Sequence, residues 1–207
     1  THHHSDHTQG IDEIKNKFDV RVFSSNKKII GTTDFLIDKQ KIDFDFIDFE
    51  IIATPGHTLD HIVYYSNKEK LLFSGDTLFF YGCGRVFEGT FEQTLKSLNK
   101  IKNLPNETNV YCGHEYTYKN IEFVLEEIVF FSKKEKIKSN CKEKIRKYGS
   151  SMPFQLGYQK KHNPYFNCDN FTYKKKIANF IKNKDKITAE AGELEFFTFI
   201  REKRNKY

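Results

Sequence analysis

The sequence predicts an α/β part over about residues 1–116, followed by a helical part over residues 117–207. Two observations carry this prediction. In the first part, short apolar runs alternate with turn residues, and several of them end at a glycine beside a histidine or an aspartate. In the second part, apolar residues recur at helical spacing within long segments rich in lysine and glutamate.

The elements of the α/β part follow from the spacing of its apolar residues. Within residues 41–52, Ile42, Phe44 and Phe46 alternate with polar residues, which predicts a strand with one buried and one exposed face. In chain order we predict a helix over 11–18, short strands within 19–37, a strand region over 41–52, strands over 62–65 and 70–74, a glycine-rich loop over 82–89, a helix over 91–104 and a strand over 108–112.

The second part has fewer turn signals. We predict one or two long helices over 118–147, a loop containing Pro153 over 149–163, and helices over 169–183 and 194–203. Because polar residues in the first part follow the ends of strands, we expect the functional site there.

The composition excludes an integral membrane protein and a disordered chain. Hydrophobic residues make up 38% and aromatic residues 15% of the sequence, and no apolar run approaches the ~20 residues that a membrane-spanning helix needs. Lysine and arginine number 34 against 28 acidic residues, a formal net charge of +6, and the lysines are spread along the chain, which favours a solvated basic surface. The 4 cysteines form no CxxC pair, which predicts reduced thiols in an intracellular protein.

Seven histidines and aspartates form a set of candidate metal ligands. The chain opens on the pattern HxHxDH, and residues two apart in an extended segment point to the same side. Imidazole and carboxylate groups suit zinc-type or iron-type ions, and the two oxygens of Asp76 suit it to bridge two ions. The pattern therefore predicts a two-metal site formed by His2, His4, Asp6, His7, His57, Asp76 and His114. His3 is predicted to face away from the ions, and His61 and His162 are predicted to be structural.

These motifs resemble those of a known family. The opening THHHSDH resembles the signature of the metallo-β-lactamase superfamily, and further segments are similar to those of glyoxalase II, the hydroxyacylglutathione hydrolases. These are TPGHT over 54–58, GDTLF over 75–79, the glycine loop over 82–90, YCGHEYT over 111–117 and NPY over 163–165. The resemblance implies an αββα sandwich over 1–116, which is the catalytic domain, and a helical substrate-binding domain over 117–207. The strands that precede the signature in this family are absent from the sequence, so we expect a sandwich truncated at its N-terminus.

By this resemblance, the chain hydrolyses S-D-lactoylglutathione and other S-2-hydroxyacylglutathiones to glutathione and D-lactate, a step of methylglyoxal detoxification. One divalent metal is implied at His2, His4, His57 and Asp76, and a second at Asp6, His7, His114 and Asp76. The family uses zinc, iron or manganese, and we expect zinc. The resemblance also implies that the attacking group is a hydroxide that bridges the metals and is positioned by Asp76, so no side-chain nucleophile is expected.

The resemblance also implies which residues bind glutathione, namely Arg85, Phe87, Tyr116, Arg201 and Arg204. Phe87 stands where many members have tyrosine, which removes one hydroxyl contact. Arg85 and Arg204 replace lysines, which keeps the charge and adds a planar donor fork suited to carboxylates. A one-residue shift in the alignment selects Lys203 instead of Arg204, and the sequence leaves this choice open.

The expected partner is a small-molecule glutathione thioester, with no nucleic acid and no membrane, in a cytoplasmic monomer whose organellar targeting is left open. Three alternative functions remain. One is a mono-iron glutathione persulfide dioxygenase of the same fold. Another is a metal-dependent RNA phosphodiesterase, which the charge favours mildly but which lacks a basic stripe interleaved with aromatic residues. The third is a metal-bound binding protein without turnover.

Overall fold

The computed structural model describes residues 1–129, 134–181 and 185–207. The first part contains α1 (Ser5–Thr8), α2 (Ile11–Lys17), β1 (Phe23–Ser24), β2 (Asp34–Phe35), β3 (Lys41–Asp43), β4 (Asp48–Ala53), β5 (Ile62–Ser66), β6 (Leu71–Gly75), β7 (Leu78–Phe79), β8 (Gly82–Cys83), α3 (Phe91–Lys102) and β9 (Asn109–Cys112). The second part contains α4 (Thr117–Phe123), a π-helix over Val124–Ile128, α5 (Lys134–Tyr148), β10 (Phe154–Gln155), α6 (Leu156–His162), a 3-10 helix over Pro164–Phe166, α7 (Phe171–Ile181) and α8 (Glu193–Lys206).

A mixed six-stranded sheet in the order β10-β9-β6-β5-β4-β3 organises the fold. Its neighbouring strands are antiparallel except for β6 and β9, which pair in parallel. Parallel strands end at the same edge of a sheet. Because β6 ends just before Asp76 and β9 ends just before Gly113 and His114, this pairing brings the two candidate ligands to one edge.

One hydrophobic core joins the sheet, α3 and the helical part. Val63 and Leu72 from the sheet, Leu98 from α3, and Phe197 and Ile200 from α8 all belong to it and are fully buried. The two parts predicted from the sequence therefore share their packing, and α8 rests directly on α3.

The helix α3 begins and ends close to its predicted bounds, because its sequence signals are strong. Thr90 accepts a hydrogen bond from the backbone N–H of Gln93, and the Gln93 side chain accepts one from the N–H of Thr90, which forms a capping box. Leu95, Leu98 and Ile101 lie on its buried face.

The strand region predicted over 41–52 forms two strands, β3 and β4, joined by a hairpin turn, so the predicted alternation through Phe44 and Phe46 is wrong. The backbone N–H of Phe44 donates to the carbonyl of Ile47 at 3.0 Å, and Asp45 takes a φ of 65°. The Asp43 carboxylate accepts the N–H of Asp45 at 2.9 Å, which is the local bond by which aspartate favours a turn over a strand. Phe46, predicted to be buried, is 83% exposed at the tip.

The predicted loop over 149–163 is also wrong in its second half. Phe154 and Gln155 pair with β9 at the edge of the sheet, and α6 follows at once. Pro153 stands just before an edge strand, a position that proline tolerates. Gly157 lies in the first turn of α6, where an added Cβ would lie 2.9 Å from Cβ of Asn106, so this glycine serves close packing.

The other predicted helices are present, with shifted bounds. The segment predicted over 118–147 divides into α4, the π-helix and α5, with residues 130–133 outside the described residues, and the helix predicted over 169–183 is seen as α7, with residues 182–183 outside them. Over the ranges that the structure describes, no helix is both long enough and apolar enough to cross a membrane.

Candidate metal centre

The opening segment of the chain brings two of its histidines against His57. Nε2 of His2 and Nε2 of His57 each lie 3.1 Å from Nδ1 of His4. His2 and His57 are buried. His57 Nδ1 lies 2.8 Å from the carbonyl oxygen of Arg85, which can only accept, so this nitrogen carries the proton and Nε2 presents its lone pair to the cluster.

A second cluster lies beside the first and consists of Asp6, His7 and His114. Nε2 of His114 lies 3.2 Å from Nε2 of His7 and 3.2 Å from Oδ2 of Asp6. Asp6 and His7 follow His4 within α1, and His114 comes from the end of β9. The opening segment thus contributes to both clusters: His2 and His4 lie in the first, and Asp6 and His7, after α1 has begun at Ser5, lie in the second.

Asp76 stands between the two clusters. Its Oδ2 lies 3.5 Å from Nε2 of His57 and 3.4 Å from Nε2 of His114, and its Oδ1 lies 3.4 Å from Nε2 of His7. Oδ1 is buried and has no hydrogen-bond partner among the described residues, which is a costly state for a carboxylate without a further ligand.

His61 holds the backbone at Asp76. Its Nε2 accepts the Asp76 N–H at 3.0 Å, and its Nδ1 lies 2.9 Å from Oγ1 of Thr54 and 3.1 Å from Oγ1 of Thr77. Gly75 has a φ of +48°, in the left-handed region that favours glycine, and a Cβ there would lie 2.8 Å from Nε2 of His61. Both ring nitrogens of His61 are thus engaged outside the clusters, in agreement with the predicted structural role.

The electrostatics of the site favour neutral imidazoles at His2 and His57 and an ionised carboxylate at Asp76. The pKa of His2 is lowered to about 3, mainly by burial and next by the neighbouring His7. Burial also lowers the pKa of His57. At Asp76 burial would raise the pKa, but the surrounding histidines, His7 first, outweigh it and lower the pKa. Neutral imidazoles and an ionised carboxylate are the states that bind a metal.

These residues fit a divalent metal centre. Three groups of three donors each converge, namely His2, His4 and His57; His2, His7 and Asp76; and Asp6, His7 and His114. Imidazole and carboxylate together are donors for zinc or iron, and the buried Oδ1 of Asp76 faces the ring nitrogens with no other partner among the described residues. The seven ligands predicted from the sequence therefore lie within one connected site.

A cavity of about 450 Å³ opens beside the two clusters. All five predicted substrate-binding residues line it, namely Arg85, Phe87, Tyr116, Arg201 and Arg204. Phe87 packs edge-on against His57, with ring centroids 5.2 Å apart, and the Arg85 guanidinium lies 5.3 Å from the centre of the Phe87 ring. Tyr116 stacks on His114 at 5.0 Å. Rings at the cavity wall thus cover metal-ligand candidates from the side.

The two arginines of α8 differ in their surroundings. Arg201 is buried, and its Nη1 donates to the carbonyl of Cys83 at 2.8 Å, which attaches α8 to the glycine loop. Arg204 lies one turn later, and its Nη2 contacts Oδ1 of Asn120 at 3.4 Å. The Nε atoms of both arginines are buried without a hydrogen-bond partner among the described residues.

Lys203 faces away from this cavity. Its Nζ lies 2.8 Å from a carboxylate oxygen of Asp185 and 3.2 Å from one of Glu127. Successive residues of a helix point about 100° apart, so Lys203 and Arg204 cannot face the same side.

Asn120 lines the cavity but was not among the predicted site residues. It lies four residues after Tyr116, and side chains four apart share a helix face. This spacing is the signal that could have found it.

Comparisons with known proteins agree with this site. Residues 1–114 match the profile of the Metallo-beta-lactamase superfamily, and residues 115–207 match that of the Hydroxyacylglutathione hydrolase C-terminus. A hydroxyacylglutathione hydrolase of Nitrosomonas eutropha is 41% identical over 178 residues, which are 82% of this chain and 67% of the relative. One of Bartonella henselae is 37% identical over 193 residues, which are 92% of this chain and 76% of the relative.

Among solved structures, ETHE1 from Myxococcus xanthus covers 97% of this chain and 65% of its own, with a TM-score of 0.61 and 22% identity. A likeness at this identity supports the fold alone. Together with the superfamily profile it confirms the predicted α/β class. The sequence profiles and relatives confirm the predicted family, so the chain belongs to the metallo-beta-lactamase superfamily and, within it, to the hydroxyacylglutathione hydrolases, the glyoxalase II family.

Proposed function

We propose that this chain hydrolyses S-D-lactoylglutathione and related S-2-hydroxyacylglutathiones to glutathione and a 2-hydroxy acid. One observation carries the proposal: two histidine and carboxylate clusters joined by Asp76 open into the same cavity that the arginines of α8 line. In this layout the thioester group would lie at the metal-ligand clusters, and the carboxylates of the glutathione part would lie beside the arginines.

We assign one divalent ion to His2, His4, His57 and Asp76, and a second to Asp6, His7, His114 and Asp76, with zinc as the expected metal and iron or manganese as alternatives. Such ions supply Lewis acidity that activates water near neutral pH and polarises the thioester carbonyl. The chain contributes the ligand geometry. His61 fixes the backbone of Asp76, and the Arg85 carbonyl fixes the tautomer of His57.

The glutathione carboxylates are assigned to Arg204 and Arg85. Arg204 lines the cavity, and the hydrogen bond found for it among the described residues is the long one from Nη2 to Asn120 at 3.4 Å. A carboxylate of the substrate would add charge-assisted hydrogen bonds to this guanidinium. Arg201 acts mainly by holding the glycine loop at Cys83. In this assignment residues 1–116 carry the metal ligands and residues 117–207 complete the substrate pocket.

Neither Cys83, which lines the cavity, nor Cys112, which lies at the end of β9, is needed as a nucleophile. Burial raises the pKa of the Cys83 thiol to about 11 and that of Cys112 to about 12, so both are protonated at pH 7. A thiol reacts as a nucleophile only when it is ionised. Neither thiol is therefore assigned as the nucleophile, and ions held by the histidines and aspartates of the two clusters would supply the chemistry that activates water instead.

The test measures loss of the thioester absorbance of S-D-lactoylglutathione, with metal content determined on the same sample. We expect turnover with about two metals per chain, as a two-metal hydrolytic site requires. Asp76→Ala should abolish turnover and reduce the bound metal, whereas Asp19→Ala, an exposed carboxylate on the surface, should change neither.

Three results would contradict the proposal. Bound metal with cleavage of RNA but not of the thioester would favour a phosphodiesterase. One iron with oxygen consumption on glutathione persulfide would favour a dioxygenase. Bound metal with no turnover of any of these substrates would favour a binding protein. We also propose that the protein is a monomer and binds no nucleic acid. Light scattering measures its molar mass in solution, with and without added RNA, and tests both statements.

A further inference from the structure

His3 lies between two ligand candidates but faces away from the metal centre. Its Nδ1 is 2.9 Å from Oδ1 of Asp60, and its Nε2 is 3.2 Å from Oε1 of Glu88. In an extended segment alternate side chains point to opposite sides. An anchor on His3 therefore holds His2 and His4 toward the metal centre.

Asp60 is itself firmly held. Its Oδ1 accepts the hydroxyl of Thr58 at 2.6 Å, and its Oδ2 accepts an amide N–H of Asn26 at 3.0 Å. Its side chain is only 12% exposed. Asp60 lies in the loop between His57 and His61. A contact from His3 to Asp60 therefore connects the opening segment to the loop that contains His57, a ligand candidate, and His61, which holds the backbone of Asp76.

Glu88 connects His3 to the glycine loop. Its Oε2 accepts the backbone N–H of Leu59 at 2.9 Å while its Oε1 faces His3. The same loop is joined to the His57 segment through the backbone, because the N–H of Phe87 donates to the carbonyl of His57 at 3.2 Å. Glu88 therefore ties together three segments: the opening segment, the His57 loop and the loop that bears Arg85.

We propose that His3 is a positioning residue, which fixes the ligand histidines by bridging the Asp60 and Glu88 carboxylates. The inference rests on the proposed function in one respect, that the neighbouring clusters hold metal. Contacts that orient metal ligands from outside typically change metal affinity or activity by about 10–100-fold when they are removed.

A metal ion at His3 itself is the competing explanation, since His3, Asp60 and Glu88 also offer three donors within reach of one another. The geometry favours the bridge. The two carboxylates contact opposite nitrogens of the ring, so the imidazole lies between them rather than beside a shared point. A cavity of about 610 Å³ adjoins these three residues, so a third ion would have room, and the experiment distinguishes the two.

The test compares the wild type with His3→Ala, His3→Asn and Glu88→Gln. Asp12→Asn is the matched control, because Asp12 lines the same cavity and makes no contact used in this argument. Zinc affinity is measured by competition with a chelator, zinc content by elemental analysis, and stability by the thermal midpoint of the metal-free protein. Steady-state kinetics on S-D-lactoylglutathione are measured at limiting and at saturating zinc.

We expect His3→Ala to weaken zinc binding about 10–100-fold while the metal-free midpoint stays close to that of the wild type. Saturating zinc should restore most of kcat, and KM should change little, because the bridge acts on the ligands and not on the substrate. His3→Asn, which retains one donor toward Asp60, should recover part of the affinity, and Glu88→Gln should weaken binding less than His3→Ala.

Zinc affinity within twofold of the wild type in His3→Ala would overturn the bridge. So would a third ion in the wild type that is lost in His3→Ala, which would assign a metal site there instead. Failure of the wild type to hydrolyse the thioester would overturn the proposed function only, since the affinity comparison does not depend on turnover. If His3→Ala does not fold, the exposed Glu88→Gln supplies the comparison.

Discussion

At the scale of single residues, the choice between neighbours on α8 follows from what each side chain contacts. Lys203 already has two carboxylates within ion-pair distance. Arg204 lines the cavity beside the metal-ligand candidates, and its fork has only the Asn120 amide oxygen as a polar contact among the described residues. The substrate carboxylate is therefore expected to meet Arg204 and not Lys203.

We predict that Arg204→Ala raises KM for S-D-lactoylglutathione with little change in kcat. A hydrogen bond to a charged group contributes about 1.5–3 kcal/mol, which corresponds to a KM increase of about 10–150-fold. Lys203→Ala is the matched neighbour, and we expect its KM to stay within about twofold of the wild type. Equal KM increases in the two variants would contradict this assignment.

At the scale of elements, α3 is the clearest case in which local sequence signals specify a structure. Its capping box satisfies backbone donors that the helix cannot pair internally. Its buried face packs against the sheet and α8. In contrast, α2 forms at the predicted place although Ile14, on its apolar face, is 50% exposed. Spacing thus predicts that a helix forms but does not say what covers it.

Loss of the cap on α3 should be measurable. We predict that Thr90→Ala lowers the free energy of unfolding by about 1 kcal/mol, because the N–H of Gln93 loses its acceptor. Thr90→Ser retains the hydroxyl and should stay within about 0.5 kcal/mol of the wild type. Urea denaturation of the metal-free protein checks both values, and equal stability of the two variants would contradict the role of the cap.

At the scale of the whole molecule, the α/β part and the helical part are joined by one core. Phe197 of α8 is fully buried and its ring contacts that of Phe91, at the start of α3, with centroids 6.4 Å apart. A polar connection adds to this, since Arg201 of the same helix binds the carbonyl of Cys83. Packing of this kind makes independent unfolding of the two parts unfavourable.

We predict that Phe197→Ala destabilises the molecule by about 3–5 kcal/mol, the range for truncating a buried phenylalanine. Unfolding should remain a single transition followed equally by far-ultraviolet circular dichroism and by tyrosine fluorescence. Phe171→Ala, at a site that is 53% exposed, should cost far less. Two separate transitions, of which the substitution shifts only one, would show instead that the two parts unfold independently.

The sequence by itself determined the family, the α/β class and the set of candidate ligands. These depend on residue types within short motifs, and in an extended segment the spacing of the opening HxHxDH motif places His2 and His4 on the same side. Strong local signals, such as the cap of α3, likewise predicted an element close to its observed bounds.

Only the tertiary structure decided how distant segments meet. The parallel pairing of β6 and β9 brings Asp76 and His114 to one edge, and the rotation of α8 turns Arg204 toward the cavity and Lys203 away from it. The turn at Asp45 depended on a side chain competing with the strand for a backbone N–H. Such outcomes depend on contacts between distant segments and on competition between local hydrogen bonds. The spacing of residues along the chain predicts neither of these.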